Sequence, residues 1–218
     1  MAVGEHITVC DMQSVEYDCV LQSFGEGEVE ARILSSKASE NEPPCYVKLY
    51  QALPKGDKLD TVIQKAVECG VSEIIPFESE RCVVKLKPEA EDKKTQRRNR
   101  ISAEAAKQCG RSTIPVVSDT VSFDRMLSAA RESELCLFCY EGDGTKPLGE
   151  ILKENFSGAR MPESVSIVIG SEGGFSIGEA QKCIAAGMIP TGLGRRILRT
   201  ETASGFVLSC IVCFSELL

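Results

Sequence analysis

Histidine is nearly absent from this sequence, and tryptophan is absent altogether. The single histidine, His6, lies near the amino terminus. One chain therefore cannot assemble a Ser-His-Asp triad or a metal site built from several histidines. Cys136 and Cys139 form a C-x-x-C pair, but residues i and i+3 of a strand face opposite sides and cannot converge on a metal. We expect no metal site.

Long uncharged stretches are missing as well. No run of about 18 uncharged apolar residues occurs, and the first residues lack the basic and then apolar order of a signal peptide. The eleven cysteines are odd in number, which favours reduced thiols over a disulfide framework. The sequence therefore predicts a cytoplasmic protein without a membrane partner.

The composition is that of a globular protein. With 218 residues, 43% of them hydrophobic, the chain can form one large domain or two small ones around a sizeable core. The net charge of -7 argues, taken alone, against a nucleic-acid partner. Residues 81–111, however, contain ten basic and four acidic residues. This basic stretch suits contacts to phosphate, and it is equally compatible with a solvated helix face.

Two patterns of apolar residues divide the chain. Residues 1–43 contain short alternating runs such as EHITVCD and EVEARILSS, which predict a small all-β domain. Across residues 44–218, predicted strands alternate with predicted helices, the longest over residues 88–110 with Pro88 near its start. Bare apolar strands such as SVSIVIG indicate a parallel sheet covered on both faces, and hence an α/β fold.

Three loops rich in glycine and polar residues follow predicted strands. They are YEGDG (140–144), GSEGGFS (170–176) and GLGRRILRTETA (192–203). Ligands bind at the carboxyl ends of parallel strands, and glycine lets the backbone approach them closely. Taken singly, each loop is also compatible with a tight turn. No P-loop motif occurs, and Gly192-x-Gly194 lacks the third glycine of a dinucleotide fingerprint. The second loop leads into a helix with a predicted capping box of Ser176 and Glu179.

The third loop carries three arginines, Arg195, Arg196 and Arg199, directly before an apolar helix. Thr200 is predicted to cap that helix, and Glu201 in its first turn suits the helix dipole. Surface arginines beside a helix cap are the simpler interpretation. Arginines at the ligand-facing edge of a sheet are, however, well suited to bind phosphate or polarise a nucleobase carbonyl.

The segments IGSEGGFS and LGRRILRTETA together resemble the RsmE family, ribosomal RNA methyltransferases that modify N3 of a uridine in small-subunit (16S) RNA. LPKGDKLDTVIQKAVECGVSEIIPFESERCVVK and KQCGR are also similar to the family's pattern, so the resemblance covers nearly the whole chain. It implies a SPOUT-type α/β fold with a C-terminal deep trefoil knot. Hydrophobic periodicity could not have predicted a knot. The resemblance also implies S-adenosylmethionine as cofactor, a homodimer, and small-subunit ribosomal RNA or the assembled small subunit as partner.

The resemblance assigns the donor pocket to the last two loops. The implied cofactor-binding residues are Gly170, Glu172, Gly173, Gly174, Leu193, Gly194, Ile197, Leu198 and Thr202. Arg196, Arg199 and Glu201 belong to the same last motif, whereas Arg195 stands where many members have proline.

The chemistry of the implied reaction suggests catalytic roles. Uracil N3 carries a weakly acidic proton, and its loss spreads negative charge onto O2 and O4. We predict that Arg199, together with Arg196, stabilises that charge, and that Glu201 or Glu172 accepts the proton. The target must be unpaired or extruded, because N3 lies on the pairing edge. No metal is needed.

Contacts to RNA are expected from the basic stretch. The predicted RNA-binding residues are Arg81, Lys85, Arg97, Arg98 and Arg111. Members of the family usually begin with additional residues in a PUA-like β-domain. Residues 1–43 are therefore expected to be a PUA-like domain that is incomplete at its amino terminus.

Two other functions fit the same residues. The chain could be a SPOUT methyltransferase that acts on another RNA position, such as a ribose hydroxyl. It could also be a non-catalytic RNA-binding or ribosome-assembly protein that kept the fold. Binding of S-adenosylmethionine would separate the second of these from an enzyme.

Overall fold

The computed structural model describes residues 1–85, 91–157 and 160–218. The chain divides into two compact units. The first contains Met1–Glu42 and Ala106–Ile114, and the second contains Pro43–Ala105 and Pro115–Leu218.

The first unit is built on a small antiparallel sheet. Its strands, in sheet order, are β1 (His6–Cys10), β2 (Val15–Phe24) and β3 (Val29–Ala38). Cys19 and Leu21 of β2 are buried two residues apart, so they share one face of the strand. β3 is exposed along its whole length. The three short strands expected from the alternating runs are therefore present.

A second segment completes this unit. Glu42 Oε1 accepts hydrogen bonds from the backbone N–H groups of Ser112 (2.7 Å) and Thr113 (3.0 Å), and Oε2 accepts one from Arg111 Nη2 (2.6 Å). These bonds join the segment Ala106–Ile114 to Glu42, the last residue of Met1–Glu42. The sequence patterns divide the chain once, after residue 43, and so assign this segment to the second domain. In the structure, Ala106–Ile114 belongs to the first unit instead. A contact between residues 70 positions apart has no local sequence signal.

The Glu42 cluster makes the first unit sensitive to acid. Burial raises the pKa of Glu42, but the hydrogen bonds from Arg111 and Thr113 outweigh it and hold the pKa below 4.5. The ionised form therefore contributes stability above pH 4.5 that is lost as the pH falls through the lowered value. We expect Glu42→Gln to lower the urea midpoint at neutral pH and to lose part of this acid dependence. The exposed Glu40 provides the control Glu40→Gln, and equal pH profiles for the two variants would contradict the cluster's role.

The second unit is built on an eight-stranded sheet. Its strands are β4 (Tyr46–Ala52), β5 (Glu73–Glu78), β6 (Val116–Val117), β7 (Val121–Ser122), β8 (Leu135–Cys139), β9 (Lys146–Pro147), β10 (Ser164–Ile169) and β11 (Ile189–Gly192). The order is β6-β5-β4-β10-β8-β11-β9, with β7 also paired to β5, and every pairing is parallel. Leu49, Leu137 and Ile167 of the three central strands are completely buried. The predicted α/β fold with a parallel sheet is confirmed.

In the part of the chain that the structure describes, six helices connect the strands or follow them. They are α1 (Lys58–Glu68), α2 (Glu91–Cys109), α3 (Phe123–Ala130), α4 (Leu148–Phe156), α5 (Ile177–Ala185) and α6 (Thr200–Val212), which continues as a π-helical turn over Cys213–Leu217. α1 buries one face, which includes Val62, Ile63 and Val67. The expected start of α2 near Pro88 lies outside the described residues.

The last helical segment is strongly apolar. Among the described residues, Thr200–Leu217 is long and apolar enough to cross a membrane, with a mean hydropathy of 1.2. Val207, Leu208 and Ile211 of this segment are nevertheless buried inside the protein. A helix that packs in a domain core meets the same criterion of length and composition. Because 33% of this segment is buried, packing accounts for part of its apolar character.

Candidate functional site

A large cavity lies at the carboxyl ends of three neighbouring strands. Its walls are the residues that follow β8, β10 and β11, and its volume is about 930 Å³. These are the strands whose ends carry the three glycine-rich loops. The volume is in the range of pockets that hold small molecules. The parallel topology therefore brings the three loops to one site, as the sequence predicted.

The loop after β10 is held from below by aromatic rings. Phe175 is buried, and its ring centroid lies 4.8 Å from that of Phe138 and 6.4 Å from that of Phe77. The backbone N–H of Gly174 donates to the carbonyl of Ser171 (2.9 Å), and Gly174 has a φ of 63°, which glycine adopts without strain. The loop is thus a rigid turn that presents backbone to the cavity.

Helix α5 begins as expected from the sequence. The Ser176 hydroxyl accepts from the backbone N–H of Glu179 (3.2 Å), and the Glu179 carboxylate accepts from that of Ser176 (3.0 Å). The predicted capping box is confirmed. It fixes the end of the loop that begins at Gly170.

Arg81 holds the same loop from the other side. Its Nη1 donates to the carbonyl of Gly173 (3.0 Å), and a Cβ added to Gly173 would lie 3.0 Å from Arg81 Cβ and 3.3 Å from the Arg81 carbonyl oxygen. A side chain at this position would require Arg81 to shift by a few tenths of an ångström. Arg81, predicted as an RNA contact, is therefore placed at the cavity wall and pairs with a loop carbonyl.

The loop after β11 is joined to the end of β10 by a buried hydrogen-bond cluster. The Thr200 hydroxyl donates to the carbonyl of Gly170 (2.6 Å) and accepts from Gln51 Nε2 (2.8 Å). The prediction that Thr200 caps α6 is wrong, because its hydroxyl is engaged in this cluster. Arg199 occupies the cap position without a side-chain cap, and its carbonyl accepts from the N–H groups of Thr202 and Ala203.

The arginines of this loop are exposed to solvent at the cavity. Arg195, Arg196 and Arg199 all line it. Within residues 1–85, 91–157 and 160–218, none of the three has an ion-pair partner. In the described part of the chain, five cationic side chains (Lys58, Arg81, Arg195, Arg196 and Arg199) line the cavity beside two glutamates, Glu141 and Glu172. This excess of positive charge suits an anionic substrate or a developing negative charge.

The two candidate proton acceptors differ in their surroundings. Glu172 lines the cavity, and its Oε1 accepts from Lys58 Nζ (2.7 Å) and from the backbone N–H of Lys55 (3.1 Å). Burial raises its pKa, but these hydrogen bonds outweigh burial and leave the pKa below 4.5. Glu201 does not line the cavity, and its buried Oε2 lies 3.8 Å from Lys58 Nζ. Sequence reasoning missed Lys58, because a lysine at a helix start has no distinctive signal.

Most of the implied cofactor-binding residues meet at the cavity. Those that line it are Gly170, Glu172, Gly173, Gly174, Leu193, Gly194, Ile197 and Leu198. Thr202 does not line it and is exposed on the first turn of α6. Cys139 also lines the cavity, where burial raises the pKa of its thiol and keeps it neutral.

The predicted RNA contacts are divided by burial. Lys85 is exposed and pairs with Glu78 (3.1 Å), and Arg97 is exposed and pairs with Asp60. Arg98 and Arg111 are buried in ion pairs with Glu91 and Glu42. The prediction that these two contact RNA is corrected: a buried guanidinium bound to a carboxylate cannot reach a phosphate.

Known proteins identify the family of this chain. A sequence model of the RNA methyltransferase domain matches residues 41–212. The "Ribosomal RNA small subunit methyltransferase E" of Bacillus subtilis (strain 168) is 36% identical over 220 residues, which cover 100% of this chain and 85% of that protein. The chain belongs to the ribosomal RNA small subunit methyltransferase E family.

Further family members agree with this assignment. The protein of the same name from Mesomycoplasma hyopneumoniae (strain 232) is 32% identical over 94% of this chain and 89% of its own length. The crystal structure of ribosomal RNA small subunit methyltransferase E from Neisseria gonorrhoeae, bound to S-adenosyl methionine, has a TM-score of 0.84. The two chains are 29% identical, and the match covers 97% of this chain and 84% of that one.

The cavity of this family member fits S-adenosylmethionine. A Cβ on Gly170 would lie 3.0 Å from the Phe175 ring and 3.3 Å from Gly174 Cα, so the wall is bare backbone. Among the described residues, the buried Ser171 hydroxyl has no hydrogen-bond partner, and a ligand can supply one. The Glu172 carboxylate adds negative charge beside a donor that carries a sulfonium and an ammonium group.

A substitution at Gly173 tests whether its close approach to Arg81 shapes the donor-binding wall of the cavity. In Gly173→Ala the new methyl group would press on the Arg81 backbone and displace the loop, and we expect S-adenosylmethionine to bind about tenfold more weakly. Titration calorimetry measures this directly. Gly149→Ala in α4 is the control, because a Cβ there meets nothing within 4 Å. Equal affinities of the two variants would contradict the role given to Gly173.

Proposed function

We propose that the protein transfers a methyl group from S-adenosylmethionine to N3 of one uridine in small-subunit (16S) ribosomal RNA. One observation supports this most strongly: three exposed arginines without acidic partners stand beside a backbone-lined cavity, in a member of this methyltransferase family. A donor pocket and an electropositive acceptor site are the two parts that this reaction requires.

The chain's own residues would bind the donor through backbone and shape. S-adenosylmethionine, when bound, supplies an electrophilic methyl group. Gly170, Gly173 and Gly174 present the turn after β10, and Leu193 and Gly194 present the turn after β11. The rings of Phe77 and Phe138 pack against Phe175 and support the turn after β10. The hydrogen bond from Thr200 to Gly170 joins this turn to the loop after β11. Preformed walls reduce the ordering cost of binding and hold the two reactants in attack geometry.

Arg199 and Arg196 act on the uracil. Deprotonation at N3 leaves negative charge on O2 and O4, and guanidinium groups beside these oxygens stabilise it. They also lower the pKa of N3 and make the nitrogen easier to deprotonate. The anchor of Thr200 to Gly170 places Arg199, its neighbour in the chain, at the cavity wall.

The proton at N3 is lost to water. The lowered pKa of Glu172 makes this carboxylate a weak base towards a weakly acidic N–H group. Glu201 lies behind the cavity wall with its Oε2 buried. The arrangement therefore favours electrostatic stabilisation by the arginines over general-base catalysis by either carboxylate.

RNA would reach the cavity along exposed basic side chains. Lys93, Arg97 and Arg100 of α2 face solvent, and Lys85 precedes this helix. Their contacts to phosphate would position the RNA without reading its sequence. The target base must leave its stack or be unpaired, because N3 lies on the pairing edge.

The family resemblance extends the proposal to the whole assembly. It implies a deep trefoil knot in the C-terminal part, a PUA-like first unit that docks RNA, and a cytoplasmic homodimer. Sedimentation of the purified protein tests the dimer: a single species of twice the chain mass is expected, and a monomer at all concentrations would contradict it.

The alternatives lack such support. A non-catalytic assembly protein would have no need of a cavity with a glycine-lined wall and unpaired arginines. A methyltransferase for another RNA position would share the donor pocket, so the product must decide between these enzymes.

Primer extension on small-subunit RNA tests the proposed function. A methyl group on N3 blocks base pairing and stops reverse transcriptase. We expect one stop at a uridine to vanish in a strain that lacks the protein and to return when the gene is restored. An unchanged pattern of stops would contradict the proposal.

A further inference from the structure

Lys58, the first residue of α1, links the two loops of the donor pocket. Its Nζ lies 2.7 Å from Glu172 Oε1 and 3.8 Å from Glu201 Oε2. Glu172 belongs to the loop after β10, and Glu201 follows Arg199 by two positions at the start of α6. One ammonium group therefore contacts both segments that carry the site.

The three side chains share a partly buried environment. The exposed fractions are 34% for Lys58, 29% for Glu172 and 21% for Glu201. The backbone N–H of Lys55 reinforces the link by donating to Glu172 Oε1 (3.1 Å). Among the described residues, the buried Oε2 of Glu201 has no hydrogen-bond partner, so Lys58 is the cation that compensates its charge.

We propose that Lys58 is a positioning residue that holds the donor-binding turn and the start of the arginine-bearing helix in one geometry through Glu172 and Glu201. The inference rests on the proposed function for the meaning of that geometry. Without Lys58, Glu172 at the cavity and Glu201 behind its wall would lack their shared cation. The turn after β10 would then lose the hydrogen bond from Lys58 to Glu172. The first turn of α6, beside Arg199, would lose the ion pair of Glu201 with Lys58.

The charge of Glu172 agrees with this role. Its pKa is below 4.5 although burial acts in the opposite direction, and the hydrogen bond from Lys58 is the largest of the causes that lower it. Glu172 is thus an ionised carboxylate whose Oε1 accepts hydrogen bonds from Lys58 Nζ and from the backbone N–H of Lys55. This explains why a carboxylate can line the cavity without serving as a base.

The first test replaces Lys58 by methionine, which keeps the length of the stem and removes the charge. We expect the Kd for S-adenosylmethionine to rise about tenfold, and kcat to fall about tenfold at saturating donor, because the charge-assisted hydrogen bond to Glu172 and the ion pair with Glu201 are both lost. Lys58→Arg retains the cation and should restore both values to within about threefold. Lys65→Met on the same helix, where Lys65 pairs with Glu68, is the control and should change neither.

A double-mutant cycle shows whether Lys58 acts through Glu172. Lys58→Met and Glu172→Gln should each raise the Kd for S-adenosylmethionine. The Kd of the double variant should not exceed the higher of the two single-variant values. The proposal would be overturned if the increase in Kd of the double variant equalled the product of the two single-variant increases. It would also be overturned if Lys58→Met had the Kd and the kcat of the wild-type protein. If Lys58→Met does not fold, the double variant, which removes both charges, still allows comparison with Glu172→Gln, and only equal donor affinities support the link.

The calorimetric readout separates this inference from the proposed function. The calorimetric experiment contains no RNA, so a wild-type protein that binds S-adenosylmethionine but methylates a different position leaves the Lys58 link intact. A wild-type protein that binds no donor would overturn both.

Discussion

Replacing Arg199 by alanine is expected to lower kcat for methyl transfer by about 10²–10³-fold, the usual loss when one group that stabilises a developing oxyanion is removed. The Kd for S-adenosylmethionine should stay nearly unchanged, because alanine keeps the backbone hydrogen bonds that Arg199 accepts from Thr202 and Ala203, and the Arg199 side chain has no partner among the described residues. Single-turnover assays with small-subunit RNA, together with calorimetry, measure the two effects separately.

Two further variants make the Arg199 result specific. Arg199→Lys keeps the charge but loses the planar fork, and it should recover only part of the rate. Arg131→Ala removes an exposed arginine at the end of α3, away from the cavity, and should leave the rate unchanged. Full activity of Arg199→Ala would show that the arginine has no catalytic role.

The largest loss of stability is expected at the buried ion pair of α2. Arg98 Nη1 donates to Glu91 Oε1 (2.8 Å), and both side chains are about nine-tenths buried. Arg98→Met leaves a buried carboxylate without its cation and should lower the free energy of unfolding by about 3–5 kcal/mol. Urea denaturation at neutral pH measures this loss.

The partner substitution distinguishes loss of charge balance from loss of packing. Burial raises the pKa of Glu91, but the hydrogen bonds from Thr120 and Arg98 lower the pKa by more than burial raises it. The group is therefore ionised at neutral pH. Glu91→Gln keeps an oxygen for the Thr120 N–H and removes the charge. The double variant Glu91→Gln/Arg98→Met should therefore recover much of the stability. A double variant as unstable as Arg98→Met would point to packing instead.

The second unit was largely predictable from local patterns. Strands such as Ser164–Ile169 carry no charged residue on either face, so they require cover on both sides, and this requirement leads to a parallel sheet. In such a sheet the loops after different strands meet at one edge, which is why glycine-rich segments far apart in sequence could be expected to form one cavity. Ser176 and Glu179 are three residues apart, and their capping box is a local feature of the sequence.

The features that escaped prediction depend on distant contacts. The Thr200 hydroxyl was expected at a cap but binds Gly170, 30 positions away. Arg98 and Arg111 looked like two more members of a basic surface, and only their own burial in ion pairs with Glu91 and Glu42 shows why they are not. Lys58 lies more than 100 positions from Glu172, so nothing in its own neighbourhood indicated a role.

Identification of the methylated nucleoside tests the central claim most directly. Small subunits from a strain without the protein are incubated with purified protein and S-adenosylmethionine that carries an isotopically labelled methyl group. The RNA is then digested to nucleosides and analysed by chromatography and mass spectrometry. The account predicts label in 3-methyluridine at one site, and much less label with Arg199→Ala. Label in a ribose or in another base, or no label at all, would contradict it.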